Sequence, residues 1–134
     1  MPTDTREARF EQRVADLYAT DPQFTAATPD PAVTAAAAQP GLRLPQIIKT
    51  VFDGYAERPA VGQRVVRFVE DPQTHRTTAE LVSQFETITY RELWDRVQAV
   101  AGAWSGRAVH TGDRVAILGF TSVDYTTVDT ALTQ

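Results

Sequence analysis

The sequence predicts an α/β domain, and three observations carry that reading. Helically spaced apolar residues from Leu93 to Trp104 are followed by an unbroken apolar run, Arg114 to Phe120, and then by a second helical stretch from Val123 to Leu132. Upstream, two β-leaning runs, Arg64 to Glu70 and Ala79 to Ile88, flank a polar turn at Asp71 to Arg76. A strand covered on both faces reads as a continuous apolar run, so the order helix, strand, helix predicts a parallel-sheet architecture of βαβ type.

Composition sets the frame. With 134 residues, 43% apolar and 22% charged, the chain has the material for one modest domain with an ordinary core. A net charge of −4, with 13 dispersed lysines and arginines, argues against a nucleic-acid footprint. The absence of cysteine excludes disulfides, thiolate catalysis and cysteine metal sites. No apolar run approaches the roughly 20 residues of a membrane span, and the first residues alternate charge where a signal peptide would be apolar. A cytoplasmic protein is expected.

The elements follow in order. Asp4, with Glu7 three residues on, forms a capping-box pattern ahead of Phe10, Val14, Leu17 and Tyr18, which predicts an amphipathic helix to Thr20. Asp21-Pro22, Thr28-Pro29, Asp30-Pro31 and Gln39-Pro40-Gly41 then predict an irregular surface connection, with Ala35 to Ala38 as a short helical piece. From Pro45 to about Glu57, a stripe of Leu44, Ile47, Ile48, Val51, Phe52 and Tyr55 predicts a helix that ends before Arg58-Pro59. The two β-leaning runs predict a hairpin. Thr89 and Glu92 repeat the capping box and start a helix whose buried face is Leu93, Val97, Val100, Ala101 and Trp104, with Trp94 beside them. Gly102 is read as allowing close packing and Ser105-Gly106 as the stop. After the Val109 to Asp113 loop and the apolar strand, Thr121 and Asp124 again carry capping-box spacing. The chain stops inside that last helix, so no return strand completes the unit.

Groups that could carry chemistry are few, and each has a plainer reading. No G-x-G-x-x-G or G-x-x-x-x-G-K-[ST] is present; Gly102, Gly106, Gly112 and Gly119 are scattered and read as turn and packing glycines. His75 and His110 fall in loops without a ligand spacing such as H-E-x-x-H, and read as exposed. Ser122 lacks the G-x-S-x-G elbow of a nucleophile and reads as a cap or turn residue. The acid pairs Asp16/Asp21, Glu70/Asp71 and Asp124/Asp129 read as solvated charge among 17 acids. Trp94 and Trp104, with Tyr55, could line an apolar pocket, but their helical spacing makes them core residues. No catalytic, cofactor-binding or metal-binding residue is assigned.

Two stretches carry a family resemblance. Ile88-Thr89-Tyr90-Arg91-Glu92-Leu93, followed by Gly112-Asp113-Arg114-Val115-Ala116, resembles the opening of adenylate-forming enzymes. The segment Glu11 to Tyr18, the run PGLRLPQIIKTVFDGYAERPAVGQR and the run LGFTSVDY are similar to the start of actinobacterial carboxylic acid reductases. The resemblance covers essentially the whole chain. It implies an enzyme that activates a carboxylic acid with ATP and Mg2+ to an acyl-adenylate, loads the acyl group onto a phosphopantetheine thiol, and reduces the thioester to an aldehyde with NADPH. Such proteins are also labelled fatty-acid-CoA ligases.

On that resemblance the chain is an incomplete N-terminal portion of an adenylation domain's large subdomain with a helical extension. Residues 1–58 would hold the extension and first helix, and 59–134 the start of the α/β domain. Its partners would be the rest of that domain, the carrier and reductase domains and a small carboxylic acid; no nucleic acid and no membrane span are implied. The family's phosphate loop, ribose-binding aspartate, mobile lysine, carrier serine and nucleotide fingerprint have no counterpart up to Gln134, so the chain alone is expected to be inactive. The alternatives are a piece of a fatty-acid-CoA ligase, a non-catalytic interaction module, or a small-ligand binder using Trp94 and Trp104.

Overall fold

A computed structural model describes residues 5–106 and 109–134. The chain divides into two compact units, the first ending at Ala36 and the second running from Ala37 to Gln134.

The first unit is helical. Helix α1 spans Arg6–Thr20, α2 Pro22–Ala26 and α3 Pro31–Ala37, whose last residue reaches the second unit. The expected cap Asp4 lies outside the described residues; the Thr5 hydroxyl accepts the Ala8 N–H at 3.4 Å. The segment from Asp21 to Gly41 is more helical than the proline breakers predict. In each Asp-Pro pair the aspartate is held out of the helical region and caps, while the proline fills the first turn, where its missing N–H costs nothing. The Asp21 carboxylate accepts the N–H groups of Gln23 and Phe24 at 2.8 and 3.2 Å, and that of Asp30 those of Ala32 and Val33 at 2.7 and 3.3 Å. Tyr18 meets Phe24 edge to face at 4.8 Å, which fastens α1 to α2. None of these helices has a buried residue.

In the second unit, α4 (Leu44–Gly54) leads to an antiparallel hairpin of β1 (Pro59–Glu70) and β2 (Thr77–Thr89). Both strands outrun the predicted stretches; Pro59 stands at the first position, where a strand tolerates a residue without an N–H. Opposed pairs include Val61 with Ile88, Arg64 with Phe85 and Val66 with Leu81, and the register slips between the last two. The Asp71 N–H donates to the Arg76 carbonyl at 3.0 Å to close the turn, where His75 takes a left-handed φ of 51°.

Helix α5 (Tyr90–Trp104) starts as its capping box predicts. The Thr89 hydroxyl accepts the Glu92 N–H at 3.2 Å, and the Glu92 carboxylate accepts the Thr89 N–H at 2.7 Å. Two more first-turn amides, which a helix cannot satisfy internally, find partners after α4: Tyr90 donates to the Arg58 carbonyl and Arg91 to that of Ala56. The buried face is the one read from the sequence. Leu93 and Val97 are 2% and 0% exposed and pack with Ala131, while Phe52, Val61, Ile88, Trp94, Val100 and Trp104 surround them. Ser105 and Gly106, with a φ of 72°, end the helix.

Gly102, however, packs against nothing: a Cβ built there meets no atom within 4 Å. A helical glycine without a close neighbour only loses backbone entropy. Gly102→Ala is therefore expected to stabilise the second unit by about 0.5–1 kcal/mol, read as a higher urea midpoint.

Two further expectations are corrected. The last helix, α6 (Val123–Ala131), is capped by the Ser122 hydroxyl, which accepts the Tyr125 N–H at 3.1 Å, and not by Thr121. The Val123 N–H donates to the Gln63 side chain at 3.4 Å, so β1 fixes where the helix begins. Arg114–Phe120, predicted as a buried strand, is neither strand nor helix. An apolar run becomes a strand only when a neighbour takes its backbone groups, and among the described residues the sole sheet is the hairpin. Leu118 and Phe120 stand fully out, at 104% and 95% exposure.

Candidate functional site

An open cleft of about 700 Å³ lies between the end of α5, the 109–115 segment and the end of α6. Trp104, His110, Thr111, Asp113, Asp129 and Leu132 are among its lining residues. His110 and Asp113 look like a base with its orienting acid, but the backbone uses that acid: the His110 N–H donates to the Asp113 carboxylate at 2.8 Å, and the Asp113 N–H to the His110 carbonyl at 3.0 Å. Gly112, with a φ of 94°, supplies the left-handed residue of this turn. The imidazole Nδ1 is 3.6 Å from the carboxylate, both side chains are well exposed, and the pair works as a turn lock.

The other candidates lie apart. His75 contacts Glu70 at 2.9 Å on the hairpin tip, exposed as expected. Beside it the Asp71 carboxyl sits below the usual aspartate range because the Gln73 and Thr74 amides donate to it, which is turn chemistry. Ser122 is spent as the α6 cap. Trp94 packs edge to face with Phe52 at 5.7 Å, with the Lys49 ammonium 5.6 Å from its ring, and so belongs to the core margin; Trp104 borders both core and cleft. Tyr55 is tilted against Tyr90 at 6.1 Å, next to the Arg58 guanidinium. Among the described residues no three His, Asp or Glu side chains converge as a metal would require.

Sequence reasoning missed one connection in the signature stretch. Arg91 pairs with Glu57, 34 residues away, its Nε donating to the carboxylate at 3.0 Å, and the hydrogen bond and the negative charge raise the guanidinium pKa. Only the hairpin's register brings the two together, so no local pattern announces it. Glu92 is held below the usual glutamate range, chiefly by the Thr89 N–H and then by its hydroxyl. A carboxyl with a lowered folded pKa favours the fold while ionised, so its contribution is present at neutral pH and fades as pH falls below about 4. Thr89→Ala is expected to cost about 1 kcal/mol at pH 7, and less of that difference should survive in acid; urea midpoints at pH 7 and pH 3 measure both.

No protein-family model matches the chain. Solved structures do. The adenylation domain of the carboxylate reductase from Mycobacterium chelonae superposes with a TM-score of 0.81 at 44% identity, covering 98% of this chain and 20% of that one. The adenylation domain of the carboxylic acid reductase from Segniliparus rugosus, in complex with AMP and a co-purified carboxylic acid, superposes with a TM-score of 0.79 at 46% identity, covering 90% and 20%. The fold is thus that of one portion of an adenylation domain. The carboxylic acid reductase of Mycobacterium tuberculosis is 58% identical over 127 residues, which are 94% of this chain and 11% of that enzyme. The chain matches the adenylation region of carboxylic acid reductases over nearly all its residues, and spans about a ninth of the length of the curated relatives it matches.

No helix among the described residues is long and apolar enough to cross a membrane.

Proposed function

We propose that this chain serves as the scaffold of an adenylation domain in a carboxylic acid reductase, an enzyme that activates a carboxylic acid with ATP, transfers the acyl group to a phosphopantetheine thiol and reduces it with NADPH. The carrying observation is the near end-to-end match, in sequence and in fold, to adenylation domains of that family. In this reading Thr89, Glu92 and Arg91 hold the start of α5, and the groups that bind ATP, Mg2+ and the acid come from other parts of the domain. The exposed Arg114–Phe120 run meets those parts, because an apolar run of strand length is stable in a sheet covered on both faces. Rest of domain, carrier and reductase are its partners, in the cytoplasm.

The experiment is a split enzyme. The M. tuberculosis reductase lacking the matching residues is expressed with and without this chain, and acid-dependent pyrophosphate release is measured. Release is expected only when both are present. Release by this chain alone, or none from the pair once co-purification shows that they associate, overturns the reading.

A further inference from the structure

We draw no further inference here: the strongest candidate, the apolar surface patch of Val66, Phe68 and Leu81 on the turn-side half of the hairpin, is 39%, 73% and 66% exposed, and nothing in the structure shows what covers it.

Discussion

Leu93→Ala lowers the unfolding free energy of the second unit by about 2–5 kcal/mol, the range for deleting a buried leucine side chain. Leu93 is 2% exposed and sits with Val97 and Ala131 as the buried apolar set among the described residues. So small a core has little slack: domains hold only about 5–15 kcal/mol in total, so this loss is a large share. Leu93 also joins α5 to α6 and to the base of the hairpin, so no peripheral contact substitutes for it. Urea unfolding of the variant and the parent, compared at equal slope, gives the value; a loss under about 1 kcal/mol would show that the site collapses around the gap or that α6 is not packed there.

Ala131→Leu approaches the same contact from the other side. Ala131, 4% exposed, lets the end of α6 lie close to Leu93 and Val97. Three added carbons at a packed position force off-rotamer side chains or a backbone shift, at about 1–3 kcal/mol. Since the two positions share one packed cluster, their effects should not add. The double variant, Leu93→Ala with Ala131→Leu, returns part of the lost volume and is expected to be more stable than the sum of the single losses by at least about 0.5 kcal/mol. Strict additivity would separate α6 from the Leu93 contact.

What the sequence made legible were features whose physics is local. Thr89 and Glu92 satisfy each other's backbone amides three residues apart, and α5 buries the face its spacing marks, because neither outcome waits on distant chain. The Asp-Pro pairs were local too, yet read as breaks: the same restriction that ends a helix before proline makes the aspartate a cap for the next one. The start of α6 was not local. Thr121 with Asp124 has the better capping pattern, but the Gln63 side chain, 60 residues upstream, takes the Val123 N–H. For Arg114–Phe120 the pattern described the run's preference and not its state, since a strand exists only as one of a pair. Of the candidate site, the sequence made legible the surroundings of single groups. His75, His110 and Ser122 carried no supporting spacing, and the structure engages them in local turn and cap contacts.

The division at Ala36 bears on how any of these numbers is observed. Both tryptophans, Trp94 and Trp104, lie in the second unit, at the margin of its core. Indole emission therefore follows that unit alone. A helical ellipticity signal sums α1, α2 and α3 with the rest, although those three helices bury nothing and have no packed interior to lose cooperatively. The two optical signals should fall at different denaturant concentrations even in a well-behaved sample, and the fluorescence midpoint is the one that reports the core.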